Sequence, residues 1–205
     1  DYYASRGLGD VYKRQTPDEI TEEMLSKYQC IYIEGYLLVN EPLVRSTMEK
    51  AKKLGLKVAL DLSNFNIVNA FKGMLEDIIP KYVDILFSNE SEAEAFTGQK
   101  AAEAVHTLSE LVEVSLVTLG KEGALIGSHG QFYSVPAEGG KPVDTTGAGD
   151  NFAAGFLYGQ SIGASLVQSA RIGSMLAGYV IDVVGPEIPY DKWEQIKLKV
   201  KGILA

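Results

Sequence analysis

The chain has 205 residues, of which 46% are apolar and 22% are charged, a composition typical of one globular domain. Its formal net charge is −8 and it has no basic cluster, which argues against nucleic acid or an anionic membrane surface as a partner. No apolar run has the length of a membrane span. The single cysteine, Cys30, cannot form an internal disulfide, and we expect a buried core thiol in a cytoplasmic protein.

Residues 1–15 differ from the rest of the chain. They show neither helical nor strand periodicity, and the stretch 7–15 resembles translated sequencing-adapter sequence. We therefore interpret residues 1–15 as non-native and confine the fold prediction to residues 16–205.

From Thr16 onward, predicted helices and strands alternate. Thr16 and Pro17 are typical of a helix start, and Ile20, Met24 and Leu25 follow at helical spacing. The pattern then predicts strands at 30–33, 57–62, 83–88 and 114–119, with helices at about 41–54, 70–79 and 92–111 between them. This alternation indicates an α/β fold with a mainly parallel sheet and helices on both faces.

After residue 119 the pattern changes. Short Gly-containing links at 120–123 and 127–130 separate short strands at 124–126 and 131–135, which predicts an antiparallel hairpin edge. Three helices follow, at about 148–160, 164–182 and 191–204. Gly155 and Gly159 lie one turn apart, and we expect them to let the first of these helices approach the sheet closely.

The most informative stretch is Asp144-Thr145-Thr146-Gly147-Ala148-Gly149-Asp150, a polar loop that runs into an apolar helix. The first turn of a helix has N–H groups without intrahelical partners, and small residues leave them open to an anion such as phosphate. A carboxylate beside a phosphate is unfavourable for binding alone. Asp150 is therefore a candidate base for a hydroxyl that attacks the phosphate.

Two familiar phosphate loops do not fit this stretch. A P-loop needs Lys after its last glycine, where Asp150 stands, and a dinucleotide fingerprint needs a third glycine where Phe152 stands. An unrelated Rossmann-type oxidoreductase is thereby disfavoured. The general alternative is a Gly-rich loop before a helix that Asp150 only caps.

Polar residues also follow the predicted strands, where ligands bind in open α/β sheets. Asn89 and Glu92 follow the third strand, and Thr118 and Gly120 close the fourth. Taken alone, Asn89 and Glu92 are typical of a helix N-cap with an acidic first turn. Both residues can cap the helix and still face a ligand.

The stretch 144–150 closely resembles the signature of the ribokinase/PfkB family of sugar and nucleoside kinases. The segments 32–38, 58–63 and 83–93 are similar to those of adenosine kinases in this family. The resemblance implies a ribokinase-like three-layer α/β/α fold, of which residues 16–205 are the C-terminal portion of a single kinase domain. The family's N-terminal strands and lid would be missing.

Carried over residue by residue, the resemblance makes Asp150 the general base and Gly147, Ala148 and Gly149 the anion hole. ATP and Mg²⁺ are the implied cofactors. Asn89 and Glu92 match the element that organises Mg²⁺ and water around the phosphates. The implied nucleotide-binding residues also include Thr118, Gly120, Gly123 and Ser174. Asp144 and Thr146 resemble a monovalent-cation site for K⁺, whereas the later segment of that site, 180–185, matches less well.

The implied activity is transfer of the γ-phosphate of ATP to a hydroxyl of a small-molecule nucleoside or sugar. An adenosine kinase-like acceptor is favoured, and a ribokinase- or fructokinase-like acceptor stays open. The alternative of another class is a non-catalytic nucleotide-binding module, against which Asp150 argues. We expect the full-length protein to form a homodimer, and this chain alone to have little or no kinase activity.

Overall fold

A computed structural model of the chain describes residues 15–139 and 142–205. The predicted non-native segment lies outside these residues except for Gln15. From Gln15 onward, hydrogen bonds connect this part of the chain to the helix at Glu41–Lys53 and the residue before it. The Asn40 side-chain amide donates to the Gln15 carbonyl at 2.9 Å, and the Lys50 ammonium donates to the carbonyls of Pro17 and Ile20 at 2.6 and 2.8 Å.

The strands form a six-stranded sheet in the order β1-β2-β3-β4-β5-β6. Their bounds are β1 Cys30–Glu34, β2 Lys57–Asp61, β3 Ile85–Asn89, β4 Val114–Thr118, β5 Ala124–Ser128 and β6 Gln131–Val135. The pairs β1–β2 and β2–β3 are parallel. Only His129 and Gly130 join β5 to β6, both at positive φ, which is the geometry of a tight antiparallel hairpin. The sheet is therefore mixed, as the sequence predicted.

The helices occupy the segments between and after the strands. Their bounds are α1 Glu22–Leu25, α2 Glu41–Lys53, α3 Phe65–Ala70, α4 Lys72–Tyr82, α5 Glu90–Thr97, α6 Ala101–Ser109, α7 Ala148–Ser161, α8 Leu166–Ile181 and α9 Trp193–Leu204. None of the helices within the described ranges is long and apolar enough to cross a membrane.

The structure differs from the helix predictions in three places, one of them an additional short helix. The helix expected from Thr16 is a 3₁₀ turn followed by α1, because Thr21 caps a new start. The helix expected at 92–111 is interrupted at Gly98, whose φ of 75° ends α5. The helix expected at 70–79 is preceded by α3, which Asn64 caps by accepting the N–H of Asn66.

Contacts divide the chain into two compact units, one of residues up to 116 with 127–130 and one of residues 117–126 with 131–205. In the first unit, α2 buries Val44 and Met48, while β2 buries Val58 and Leu60. Cys30 is only partly buried, contrary to the prediction of a core thiol, because it begins strand β1 at the end of the sheet order. Burial raises the pKa of its thiol, which disfavours a reactive thiolate.

The second unit is organised around the packing of α7 on α8. A Cβ added to Gly155 would lie 2.7 Å from the Gly173 Cα, and one added to Gly159 would lie 2.7 Å from the Ser169 Cα. The two glycines were predicted to bring the helix close to the sheet. Both glycines face helix α8 instead of the sheet, so the predicted packing partner was wrong. Backbone-to-backbone approach at this crossing leaves no room for a side chain.

Candidate active site

The signature loop turns into helix α7 at Gly147. This residue has φ 77°, a left-handed conformation that glycine adopts without strain, and it is the N-cap of the helix. A Cβ here would lie 2.9 Å from the Pro186 Cβ. Glycine is therefore required at Gly147 for both its backbone conformation and its close contact.

The carboxylate of Asp144 holds the loop in shape. One oxygen accepts the N–H and the hydroxyl of Thr146 at 2.9 and 2.7 Å, and the other accepts the N–H of Gly185 at 2.9 Å. These donors hold the pKa of Asp144 below its usual range, the Gly185 N–H contributing most. The predicted cation-site residues Asp144 and Thr146 thus bond to each other and to the segment after α8.

The first turn of α7 has fewer backbone N–H groups without an acceptor than the sequence predicted. The Ala148 N–H already donates to the Thr145 carbonyl at 3.2 Å. Within the described part of the chain, no group accepts the N–H of Gly149 or of Asp150. The Asp150 side chain is exposed in the same turn. An anion at this helix start would therefore meet the N–H groups of Gly149 and Asp150, beside a solvated carboxylate.

A cleft of about 520 Å³ lies against this helix start, within the second unit. It brings together six residues singled out from the sequence, namely Thr118, Gly120, Gly123, Ala148, Gly149 and Ser174. The predicted residues Asp144, Thr146, Gly147 and Asp150 are not among its lining residues. Its volume lies in the range of small-molecule sites, about 300–1,000 Å³.

Ser174 shapes one wall of the cleft. Its hydroxyl donates to the Pro136 carbonyl at 2.9 Å and accepts the Glu138 N–H at 3.0 Å. The serine is 6% exposed, so its hydroxyl fastens the segment after β6 onto helix α8. Ser174 was predicted to flank a nucleotide, and its bonds give it a supporting role in the wall.

Sequence reasoning missed several lining residues. Lys121 brings a positive charge to the cleft from the loop already singled out for Gly120 and Gly123. The apolar wall comes from Phe152 and from Ala177, Gly178 and Ile181. The last three continue the helical spacing of Ser174, which was a signal that could have identified them.

In the first unit, Asn89 and Glu92 form a capping box at the start of α5. The Asn89 N–H and side-chain amide donate to the two oxygens of Glu92 at 2.8 and 2.6 Å, and the Glu92 N–H donates to Asn89 Oδ1 at 3.0 Å. Glu92 is only 4% exposed. Burial raises its pKa to about 7 with help from the charge of Asp61, against the lowering effect of the Asn89 bonds.

The ends of β1 and β2 in this unit are tied together by Ser63, another feature missed from the sequence. Its hydroxyl accepts the Gly35 N–H at 2.7 Å, and its N–H donates to Asp61 at 2.6 Å. The Tyr32 hydroxyl donates to the other Asp61 oxygen at 3.1 Å. Ser63 adopts φ 63°, a strained conformation for a residue other than glycine.

The Glu92 carboxylate fits a Mg²⁺ ion that is coordinated largely by water molecules. Among residues 15–139 and 142–205, no group of three or more His, Cys, Asp or Glu side chains could form a protein cage for a metal. Mg²⁺ commonly binds one or two carboxylates, substrate phosphates and several waters instead. Glu92, buried and with both oxygens already accepting Asn89 donors, suits contact through a water molecule.

The sequence profile of the pfkB family carbohydrate kinases matches residues 4–193. The chain belongs to the PfkB family. Its relatives include the adenosine kinase of Saccharomyces cerevisiae, which is 31% identical over 86% of this chain and 57% of its own length. The chain therefore spans little more than half the length of this curated PfkB relative.

Two solved structures extend the comparison. The adenosine kinase of Sinorhizobium meliloti has a TM-score of 0.85 and 29% identity, covering 91% of this chain and 58% of its own. The ribokinase of Arabidopsis thaliana, solved with ribose and ATP, has a TM-score of 0.66 and 25% identity, covering 89% and 58%. The fold is thus that of ribokinase-like PfkB proteins.

Proposed function

We propose that the protein carrying this chain is an ATP-dependent kinase that transfers the γ-phosphoryl group to a hydroxyl of a nucleoside or sugar. The observation that supports this most directly is the cleft where the start of α7 meets the loop after β4. Membership of the PfkB family supports the same conclusion. Adenosine kinases among the relatives favour a nucleoside acceptor, and the ribokinase keeps a sugar acceptor open.

In this proposal, the cleft binds the nucleotide and the open N–H groups of Gly149 and Asp150 stabilise negative charge on the phosphates. Asp150 accepts the proton of the acceptor hydroxyl, a role that typically contributes a factor of about 10² to 10⁴ in rate. Mg²⁺ would neutralise phosphate charge. Phosphoryl transfer depends chiefly on such positioning and charge neutralisation.

Nucleotide binding tests the first part of the proposal. Isothermal titration of the chain with ATP and Mg²⁺ should show binding, and Lys121→Ala should weaken it about threefold to tenfold by removing a cation from the cleft. Lys201→Ala, on α9 and outside the lining residues, is the matched control. Equal affinities in both variants, or competition by NAD⁺, would contradict the assignment of the cleft.

Transfer tests the second part, in the protein from the complete reading frame. Asp150→Asn should keep ATP affinity and lose transfer to adenosine or ribose by about 10² or more. Asp191→Asn, exposed in a turn before α9, should change neither. Transfer that survives in Asp150→Asn would rule out Asp150 as the base. Binding without transfer in the unaltered protein would favour a non-catalytic nucleotide-binding module.

Three finer properties stay predictions. Dependence on K⁺ would be seen as faster transfer in potassium than in choline chloride, and it would implicate Asp144 and Thr146. A homodimer would be seen by light scattering of the full-length protein. The cytoplasmic location rests on the single cysteine and on the small-molecule substrates expected of a PfkB kinase.

A further inference from the structure

A second cavity of about 580 Å³ lies between helices α8 and α9, entirely within the second unit. Its lining includes Met175, Tyr179 and Asp182 on one side and Lys192, Gln195 and Lys199 on the other. None of the residues predicted from the sequence to bind a ligand is among them. The family signature does not line it either.

Glu138, Gly139 and Gly178 line both this cavity and the nucleotide cleft, and they form the wall between the two. A Cβ at Gly178 would lie 1.8 Å from the Glu138 carbonyl oxygen, and one at Gly139 would lie 2.5 Å from the Gly178 Cα. The segment after β6 therefore crosses α8 in direct backbone contact. On α8, Ser174 and Ala177 line the cleft, whereas Met175 and Tyr179 line the second cavity. The cleft and the second cavity therefore lie on neighbouring faces of helix α8.

One wall of the cavity is a polar face of α9 and the turn before it. Lys192, Gln195 and Lys199 recur at intervals of three and four residues, so they share one face. Lys192 lies 4.0 Å from Asp191, a weak exposed pair. The Lys199 ammonium lies 5.0 Å from the centre of the Tyr179 ring. Lys199 and Gln195 are exposed, and neither has a side-chain hydrogen bond or ion pair with any residue that the structure describes.

The opposite wall, formed by α8 and its C-cap, carries the Tyr179 hydroxyl and the exposed Asp182 carboxylate. The Asp182 carboxylate has no bonding partner within the described ranges, whereas Glu138 is paired with Arg171 at 3.6 Å. The Tyr179 hydroxyl is shielded from solvent and has no partner among the described residues. A buried hydroxyl without a hydrogen bond is unfavourable, so an acceptor brought to Tyr179 by a ligand would be favoured.

We propose that this second cavity binds a small phosphorylated polyol, such as a sugar phosphate. The phosphate would lie against Lys199 and Lys192, where charge-assisted hydrogen bonds replace the cation–π contact. The hydroxyls of the polyol would bond to Asp182 and Gln195, and one ligand oxygen would accept the Tyr179 hydroxyl. Opposed cationic and anionic walls suit a ligand that has a charged end and a hydroxylated end.

The test is an NMR titration of the ¹⁵N-labelled chain with ribose 5-phosphate, with ribose and serine as comparison ligands. Ribose 5-phosphate should shift the amides of Tyr179, Gln195 and Lys199 saturably. Lys199→Ala should weaken this binding about fivefold, and Tyr179→Phe about threefold. Lys201→Ala, on the same helix but outside the cavity, is the matched control and should bind as the unaltered chain does.

Three outcomes would overturn the proposal. If the amides around the cavity do not shift, the cavity holds water only. If Lys201→Ala weakens binding as much as Lys199→Ala, the attraction is non-specific charge. If serine binds at least as tightly as ribose 5-phosphate, the site recognises a zwitterion instead. Because the amides of Gly149 and Asp150 report the cleft separately, failure here is distinguishable from failure of the proposed kinase function.

Discussion

At the residue scale, Glu92 combines a structural role with a charge that burial makes unfavourable. Both its oxygens accept hydrogen bonds from Asn89, yet its pKa is raised to about 7 from 4.5 in the unfolded chain. The folded protein thus binds the Glu92 proton more tightly than the unfolded protein does. Rising pH therefore removes stability between pH 4.5 and about 7.

Glu92→Gln should abolish most of this pH dependence. The free energy of unfolding of Glu92→Gln relative to the unaltered chain should rise by about 2–3 kcal/mol between pH 5 and pH 8. Urea unfolding at both pH values, in EDTA, measures it. Glu90→Gln, exposed in the same first turn, is the control. A difference that stays constant between the two pH values would show that burial does not perturb Glu92.

Gly147 permits a second comparison at this scale, because Gly163 has the same φ of 77° but no atom within 4 Å of an added Cβ. Gly163→Ala should lower the free energy of unfolding only by the cost of a left-handed alanine, about 1–2 kcal/mol. Gly147→Ala adds the contact with Pro186 and should displace the signature loop. We expect a larger loss of stability for Gly147→Ala than for Gly163→Ala, and weaker ATP binding for Gly147→Ala alone. Equal ATP affinity in the two variants would contradict the role of Gly147 in shaping the site.

At the element scale, the crossing of α7 on α8 positions the signature helix beside the cleft. Gly155→Ala would place a Cβ 2.7 Å from the Gly173 Cα, and forced separation of the helices should destabilise the chain by about 1–3 kcal/mol. Gly202→Ala, in α9 with open space around it, should instead stabilise by up to about 1 kcal/mol. Thermal unfolding of both variants measures the contrast. A neutral Gly155→Ala would mean that the crossing tolerates separation.

The elements also show where local sequence signals suffice. Strands β1, β2 and β4 begin at the predicted residue. A short apolar run bounded by turn residues indicates a strand without information from distant parts of the chain. The helix between residues 92 and 111 was not resolved into α5 and α6. Glycine is tolerated in a helix interior, so the sequence did not show that Gly98 adopts φ 75° and ends α5.

At the scale of the whole molecule, the chain spans 57% of the yeast adenosine kinase. We predict that a long genomic read upstream of the Thr16 codon will show the reading frame continuing into further PfkB sequence. Residues 1–15 would then be replaced by native sequence. If residues 1–15 are encoded directly behind a start codon, the interpretation of that segment is wrong. In that case, catalysis by the chain would need turnover measurements of its own.

A companion measurement concerns the chain by itself. Because efficient transfer needs the acceptor to be held beside the phosphate, we expect the 205 residues to bind ATP but to phosphorylate adenosine at least about 10² more slowly than yeast adenosine kinase assayed alongside. Coupled assay of both proteins measures the difference. Ready phosphorylation by the chain would contradict this expectation.

The sequence by itself determined the alternation of elements, the hairpin edge and the family signature, because periodicity, turn residues and a specific motif are local properties. Tertiary structure alone decided that Thr118, Gly123 and Ser174 line one cleft with Gly149, since they lie far apart in the chain. The tertiary structure also decided which hydrogen bonds form between polar groups that are far apart in the sequence. Ser174 supports a wall and Asp144 bonds Gly185, because hydrogen bonding depends on which segments meet in the folded chain.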